Sequence, residues 1–173
     1  MHKKMSNQLK ILALRPPSLI HNFSPAISNT LPLGLAYIVG AIKDLNVDIR
    51  VIDAIAESPD NKHVTPYKKN ISILGILPED TIKLIEEPPD VCLVSIMFSM
   101  DWTISRDLIE LLHQRFPQCT FIAGGEHVSS LSEYSLMNSP LNLCVQGEGE
   151  VIIRNVISSL IENEMLPTDI PGT

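Results

Sequence analysis

The sequence FIAGGEH at residues 121–127 sets two consecutive glycines directly after a short apolar run. A run that ends in this way marks the end of a strand, at a place where another group approaches the backbone closely. Residues 141–150 (LNLCVQGEGE) show a similar pattern, since an apolar run leads into a glycine turn and then into a helical pattern. In an open α/β sheet, ligands bind beyond the carboxyl ends of the strands. The two stretches therefore predict a sheet with a ligand site at that edge.

The composition is that of one globular domain. The chain has 173 residues, of which 45% are hydrophobic and 19% charged, and this length is enough to bury a substantial core. Its apolar runs are far shorter than the roughly 18 residues of a membrane-spanning helix. The basic start at residues 1–8 precedes only a short apolar run without a small-residue cleavage site, so no secretory signal is predicted. We expect a soluble, cytoplasmic protein with no membrane partner.

The net charge and the cysteines indicate which partners and which kinds of site to expect. The net charge is -7, and no cluster of lysine or arginine follows the basic start, which argues against a nucleic-acid partner. Three cysteines, Cys92, Cys119 and Cys144, lie singly in apolar surroundings without a CxxC spacing. We expect reduced, buried thiols and neither a disulfide nor a metal site.

Five short runs predict the strands. The first, residues 9–14, is stopped by Arg15-Pro16-Pro17 because proline cannot continue a ladder. Residues 47–54 alternate and are β-branched, as expected of an edge strand. The continuous apolar run at residues 91–95 is typical of a central parallel strand. The last two strands are expected at residues 120–123 and 141–145.

Helical patterns separate these strands. Residues 31–44 are apolar nearly all round, with Pro32 in the first turn, and predict a helix largely buried against the sheet. Residues 99–116 predict the next long helix, with Asp101 or Thr103 as candidate N-cap. The remaining predicted helices cover residues 78–87, 129–137 and 148–163.

Two segments give little structural signal. Residues 18–30 have a loop-like composition with Pro25 and several asparagines and serines. Residues 55–89 show no clear periodicity apart from the helix that begins at Pro78. We expect the first to be a loop, whereas the second is the least readable part of the sequence.

The alternation of strands with helices decides the fold class. It predicts an α/β, doubly wound, Rossmann- or flavodoxin-like domain with a five-stranded parallel sheet in the order 2-1-3-4-5 and helices on both faces. We expect residues 1–165 to form this domain. Residues 166–173, with two prolines, are expected to be the start of a linker that leads out of it.

The strand ends disfavour three common ligands of this topology. A phospho-receiver site needs acidic residues after the first strand, an aspartate after the third and a lysine after the fifth, whereas this chain has prolines, Ser95 and Gln146. A dinucleotide site needs a GxGxxG turn after the first strand. A flavodoxin-type flavin site needs a hydroxyl-rich phosphate loop there, and Ser18 alone does not make one.

Small residues at the ends of the last three strands indicate a different ligand. Ser95, the pair Gly124-Gly125 and Gly147 resemble the cobalamin-binding domain, in which a serine two residues before a leucine and a later glycine pair line the slot for the nucleotide tail. Met97 stands here in the place of that leucine. The DxHxxG motif that supplies a histidine to cobalt is absent after the first strand.

A narrower resemblance covers nearly the whole chain. It is similar to the amino-terminal cobalamin-binding domain of the cobalamin-dependent radical SAM enzymes, whose motifs occur here in the same order. These are LRPP at residues 14–17, PLGLAY at 32–37, GGEH at 124–127, GEGE at 147–150 and DIPG at 169–172. The last resembles the connector into the radical SAM barrel.

This resemblance implies a function. The chain would hold cobalamin (B12) at the carboxyl ends of the strands, within an enzyme that transfers a methyl group to carbon or performs a cyclisation or rearrangement. The CxxxCxxC motif that holds a [4Fe-4S] cluster is absent. The cluster and S-adenosylmethionine are therefore expected in a radical SAM domain on the same full-length protein or on a separate chain, and the present chain alone is not expected to be catalytic.

Two alternatives stay open. The chain could be a stand-alone module that binds or senses a corrinoid, or a flavodoxin-like domain that binds another nucleotide.

The residues implied as cofactor-binding lie at the ends of the first, third, fourth and fifth predicted strands. They are Arg15, Pro16, Ser95, Met97, Gly124, Gly125, Glu126, His127, Val128, Gly147 and Glu148. No residue is expected to be catalytic or to ligate a metal. For several of them a structural role is the alternative: the glycines could serve a tight turn, His127 could cap a helix, and Glu148 could stabilise a helix N-terminus.

Overall fold

The structure is a computed structural model that describes residues 8–23, 30–163, 165–167 and 170–173. Its strands are β1 (Leu9–Arg15), β2 (Ser18–His21), β3 (Val47–Asp53), β4 (Lys62–Val64), β5 (Ile71–Leu74), β6 (Val91–Ser95), β7 (Thr120–Gly124) and β8 (Leu143–Val145). Its helices are α1 (Leu33–Ile42), α2 (Pro78–Lys83), α3 (Trp102–Arg115), α4 (Glu126–Ser130), α5 (Ser132–Met137) and α6 (Gly149–Asn163). A short 3-10 helix, Ser99–Asp101, leads into α3.

The main sheet has five parallel strands in the order β3-β1-β6-β7-β8. This confirms the predicted fold class and strand order. The register places Ser95 opposite Gly124 and Gly124 opposite Val145, at the carboxyl ends of three neighbouring strands. The small residues identified in the sequence therefore meet at one edge of the sheet.

Both faces of this sheet are covered, as the continuous apolar strands predict. Because successive side chains of a strand point to opposite faces, Phe121 packs in the core on the side of α3, and Ile122 packs on the side of α1 and α6. Leu108 of α3 and Val156 of α6 are fully buried in these two cores.

A second, antiparallel sheet was not predicted. It has three strands in the order β2-β5-β4. The expected loop was therefore wrong for residues 18–21, whereas residues 24–29 lie outside the described part of the chain. The two short strands within residues 55–89 had no prediction from the sequence. Leu19 and Ile73 of the small sheet pack on Ile104 of α3. These strands have only three or four residues each, and β2 pairs with a strand distant in the sequence, so they leave little periodic signal.

Several predicted helix ends and caps differ from the structure. The helix expected over residues 129–137 is two helices, α4 and α5, separated at Leu131, and α2 ends at Lys83. Asp101 occupies the N-cap position of α3 but makes no side-chain capping bond. Its Oδ1 instead accepts hydrogen bonds from the hydroxyl of Ser18 at 3.0 Å and the backbone N–H of Leu19 at 2.7 Å. The carboxylate therefore joins β2 to the start of α3.

Helix α1 is less buried than predicted. Leu35 and Ile42 face the core, but Leu33 and Tyr37 are 62% and 63% exposed. The helix is apolar all round, and this domain covers only one side of it. An apolar surface therefore remains open beside the carboxyl end of the sheet. None of the described helices has the length and apolarity needed to cross a membrane.

The described part of the tail lies against the domain. Leu166 and Ile170 pack on the core beside α6, and the carbonyl of Gly172 accepts a hydrogen bond of 2.8 Å from the N–H of Gln146. Residues 170–173 therefore reach the turn that follows β8. The division of the chain after residue 165 stays a prediction.

Candidate functional site

A cavity of about 360 Å³ lies at the carboxyl ends of β6, β7 and β8. Its buried lining is apolar and comes from both the sheet and the helices. This lining includes Leu35, Leu93, Ile122, Val145 and Ile153. Ser95, Met97, Gly124, Gly125, Glu126, Gly147 and Glu148, all predicted from the sequence, line the same cavity. The structure thus brings together most of the predicted site residues.

The two consecutive glycines of this cavity are there for different structural reasons. Gly125 has a φ of +112°, and a Cβ built on it would lie 2.5 Å from the carbonyl oxygen of Ile96. The backbone itself therefore requires glycine at this position. Gly124 has no positive φ, and its Cβ would meet only Val145, at 3.9 Å. The fold does not require glycine at position 124, so its missing side chain leaves room in the cavity.

The turn after β8 is tied to the neighbouring short helices. Gly147 has a φ of +75°, and its N–H donates to the hydroxyl of Ser129 at 3.1 Å. The side-chain amide of Gln146 donates to the hydroxyl of Ser132 at 2.7 Å. Glu148 and Glu150 lie at the N-terminus of α6 and also line the cavity, so helix stabilisation and ligand contact both stay open for them.

A second cavity, of about 510 Å³, adjoins the first on the side of β1 and β2. The predicted residues Arg15 and Pro16 line it, and Ser95 and Met97 line both cavities. Arg15 donates from Nη1 to Asp53 at 3.2 Å and to the carbonyl of Thr30 at 2.8 Å, which holds its guanidinium half-buried. The second cavity therefore has a charged, hydrogen-bonding group in its wall, whereas the buried lining of the first cavity is apolar.

Two predicted residues lie outside both linings. The side chains of His127 and Val128 are buried, and His127 is 2% exposed. The imidazole of His127 lies 3.0 Å from the hydroxyl of Ser99 through Nδ1 and 3.4 Å from that of Ser135 through Nε2. Neither side chain lines either of these two cavities, and the role of both as cofactor-binding residues stays a prediction.

Comparison with known proteins identifies the family. The B12 binding domain matches residues 26–157, which is most of the chain. This chain belongs to the B12-binding domain family. The match confirms the cobalamin-binding family predicted from the motifs, and it confirms cobalamin as the cofactor of the domain.

Individual relatives of the B12-binding domain are much longer proteins. Cytidylyl-2-hydroxyethylphosphonate methyltransferase of Streptomyces wedmorensis is 27% identical over 144 residues, which cover 82% of this chain and 27% of that protein. A second match is the structure of the radical S-adenosylmethionine methyltransferase TsrM of Kitasatospora setae, solved with cobalamin and a [4Fe-4S] cluster. It has a TM-score of 0.68 at 16% identity, and the match covers 95% of this chain and 26% of the TsrM chain. The chain thus spans about a quarter of the length of these proteins.

The fold is also shared by proteins of other function. The Thermotoga maritima response regulator DrrB has a TM-score of 0.54 at 10% identity, over 92% of this chain and 55% of its own. At such identities the structural likeness shows the fold alone.

Sequence reasoning missed much of the apolar lining of this B12-binding domain. Ile38, Ile122 and Ile153 line the cavity, but buried aliphatic residues occur throughout the sheet and its helices, so their type does not distinguish them. Ser129 was a clearer signal, because it lies two residues after the GGEH motif, and its hydroxyl accepts a hydrogen bond from the turn at Gly147.

The cysteines of the domain are buried free thiols, as predicted. Burial raises the pKa of Cys119 to about 12 and that of Cys144 to about 11, and it raises the pKa of Cys92 well above the usual range. Within the described ranges, no group of three or more histidine, cysteine or acidic residues is placed to hold a metal ion.

We predict that these thiols do not assemble an iron–sulfur cluster. In native protein at pH 8 they should react with a thiol reagent far more slowly than in denatured protein, because they are both inaccessible and protonated. Anaerobic incubation with iron and sulfide should leave no stable cluster. A reproducible [4Fe-4S] spectrum that is lost when Cys92, Cys119 and Cys144 are replaced by serine would contradict this expectation.

Burial of His127 predicts a pH effect on stability. Desolvation lowers the pKa of its imidazole below the ordinary value, so the unfolded chain takes up the proton more readily than the folded one. The contribution of the buried neutral imidazole to the free energy of unfolding is therefore complete above about pH 6.5, the pKa of an unperturbed histidine. It is lost as the pH falls from there towards the folded-state pKa.

Urea unfolding of the wild type and His127→Phe at pH 7.5 and pH 5.5 measures this effect. The variant should lose less stability between the two pH values than the wild type, and His63→Phe, at a partly exposed site, is the matched control. An equal pH dependence in the wild type and His127→Phe would show that the imidazole titrates normally.

Proposed function

We propose that this chain is the cobalamin-binding domain of a B12-dependent radical SAM enzyme, and that the cavity at the ends of β6, β7 and β8 takes the nucleotide tail of the cofactor. The observation that carries the proposal is Gly124, because its missing side chain leaves room in the cavity and the backbone does not require it.

The first cavity fits the tail better than the macrocycle. The tail of cobalamin ends in a flat aromatic base, whereas the corrin is a broad ring fringed with amides. A cavity of about 360 Å³ with a buried floor of Leu93, Ile122 and Val145 favours an aromatic base. Ser95 and Gly147 would lie along the tail, and Glu126 and Glu148 are exposed where the cavity meets solvent.

The second cavity would receive the amide-bearing edge of the corrin. Arg15 offers N–H donors there, and Ser18 and Asp101 offer further hydrogen-bonding groups. Burial has the largest effect and raises the pKa of the Asp101 carboxyl above its ordinary value, although the hydrogen bonds from Leu19 and Ser18 partly offset this rise. Pro16 and Met97 would supply apolar contact beside these polar groups.

The rest of the enzyme would cover the cofactor. Bound cobalamin supplies a cobalt centre that can carry a methyl group. The chain's own contribution is to bind the cofactor, orient it and exclude water from its buried side. Leu33, Tyr37, Phe98 and Met100 leave an exposed apolar surface around the two cavities, which suits a partner domain.

The length of the relatives supports this partner. Because the chain spans about a quarter of them, we assign the [4Fe-4S] cluster and S-adenosylmethionine to a radical SAM domain outside the present chain. Methyl transfer to carbon is the reaction we favour, in line with the methyltransferase names of the relatives, and cyclisation or rearrangement is the alternative. Buried, unpaired thiols suit a reducing cytoplasmic setting.

Incubation with hydroxocobalamin tests the proposed function. After desalting, the protein should carry the corrin absorption bands in near-stoichiometric amount. A colourless eluate from protein that is folded by circular dichroism, together with no heat of binding in titration calorimetry, would overturn the proposal.

A further inference from the structure

The loops that follow β6 and β7 are joined by hydrogen bonds around His127. The N–H of Ile96 donates to the carbonyl of Gly124 at 2.8 Å, and the N–H of His127 donates to the carbonyl of Ile96 at 3.3 Å. The imidazole Nδ1 lies 3.0 Å from the hydroxyl of Ser99 in the 3-10 helix. Backbone and side chain of one residue thus hold the same neighbouring loop at two points.

The imidazole is itself held on its other sides. Its Nε2 lies 3.4 Å from the hydroxyl of Ser135 in α5, and its ring stacks on Trp102 of α3 with centroids 4.8 Å apart. The Ser135 hydroxyl donates to the carbonyl of Leu131 at 2.8 Å, so it accepts from Nε2–H. A neutral imidazole then accepts at its other nitrogen, and the Ser99 hydroxyl donates to Nδ1. Both nitrogens of the buried ring are therefore satisfied within the protein, and neither is free for a metal.

The loop held in this way forms part of both cavities. Met97 lines both of them, and Phe98 and Met100 line the second one. These three side chains flank Ser99 in the sequence and are more than half exposed, so little packing fixes their position. At its far end the loop is tied to β2 through Asp101. The contact between Ser99 and His127 is therefore the central tie of the loop.

We propose that His127 is a positioning residue that holds the loop of residues 96–101 at the wall between the two cavities. It is not a ligand of cobalt. The part of this inference that concerns affinity rests on the proposed function, whereas the part that concerns the loop does not need a cofactor.

Trp102 reports on this arrangement without any cofactor. It is the only tryptophan of the sequence, it is buried, and it stacks on the imidazole. Its indole N–H is buried without a hydrogen-bond partner in the described structure. Quenching of its fluorescence by acrylamide therefore measures how firmly the histidine and the loop are held.

The decisive variant is Ser99→Ala, which removes the tie to the loop and leaves the imidazole in place. Its matched control is Ser139→Ala in the segment after α5, where the hydroxyl bonds only to neighbouring backbone groups. We expect Ser99→Ala to raise acrylamide quenching of Trp102 clearly above that of the wild type and of Ser139→Ala. We also expect its Kd for hydroxocobalamin to rise about three- to tenfold, the effect of one hydrogen bond.

The visible spectrum of bound hydroxocobalamin separates positioning from ligation. It should be the same in the wild type, Ser99→Ala and His127→Phe, because none of these changes a cobalt ligand. A spectrum that changes only in His127→Phe would overturn the inference. It would also be overturned if Ser99→Ala showed the same acrylamide quenching of Trp102 and the same Kd for hydroxocobalamin as the wild type. If the wild type binds no corrinoid, the proposed function fails, and the quenching of Trp102 in the apoprotein still decides the positioning role.

Discussion

Gly125→Val is expected to destabilise the fold itself, and not only to weaken cofactor binding. A Cβ at this position would lie 2.5 Å from the carbonyl oxygen of Ile96 and 2.8 Å from its carbon, and the φ of +112° is one that valine rarely adopts. The steric conflict can be relieved only by moving the backbone at Ile96, just after β6, away from the turn after β7, and the φ must stay strained or change. We expect a loss of about 3 kcal/mol or more, a large part of the stability of an ordinary domain.

Equilibrium unfolding in urea measures this loss. Gly40→Val is the matched control, because Gly40 is exposed on α1 and a Cβ there would meet no atom within 4 Å. The control should remain within about 1 kcal/mol of the wild type. A Gly125→Val protein with wild-type stability would show that the turn after β7 is not as the structure places it.

Gly124→Val is expected to keep the fold and to lose the cofactor. Its backbone is that of an ordinary strand residue, and a Cβ would meet only Val145 at 3.9 Å. A β-branched residue suits a strand, so the stability of the apoprotein should be equal to or above that of the wild type. The new side chain would occupy the cavity, and we expect the affinity for hydroxocobalamin to fall at least about tenfold, or ~1.4 kcal/mol.

Titration calorimetry on Gly124→Val, Gly40→Val and the wild type gives this result directly. Thermal unfolding of the same samples without cofactor separates lost binding from lost structure. Wild-type affinity in Gly124→Val would mean that the ligand does not enter the cavity beside Val145.

The main sheet could be predicted because its strands carry a strong local signal. Residues 91–95 form an almost continuous apolar run, which is typical of a strand covered on both faces. Once the order of the strands follows, the ends of β6, β7 and β8 must adjoin. Ser95, Gly124 and Gly147 therefore come together without any knowledge of the side-chain packing.

The small sheet could not be predicted in this way. Ser18 of β2 pairs with Leu74, which is distant in the sequence, and Lys62 of β4 pairs with the same residue from the other side. Strand β4 is polar and only three residues long. It pairs with the next strand, β5, but its composition carries no strand signal of its own.

The GGEH motif shows the limit for the site. The sequence alone does not distinguish the two adjacent glycines, although the backbone requires Gly125 and the missing side chain of Gly124 leaves room in a cavity. It also cannot tell in which direction the imidazole of His127 points. Only the contacts with Ser99, Ser135 and Trp102 show that the ring faces the protein.

A comparison of hydroxocobalamin with cobinamide, a corrinoid without the nucleotide tail, tests most directly whether the cavity at the strand ends holds that tail. We predict that the wild type binds hydroxocobalamin at least about tenfold more tightly than cobinamide, and that Gly124→Val reduces this ratio to about threefold or less. Equal affinity of the wild-type protein for the two corrinoids would contradict the placement of the tail in the cavity.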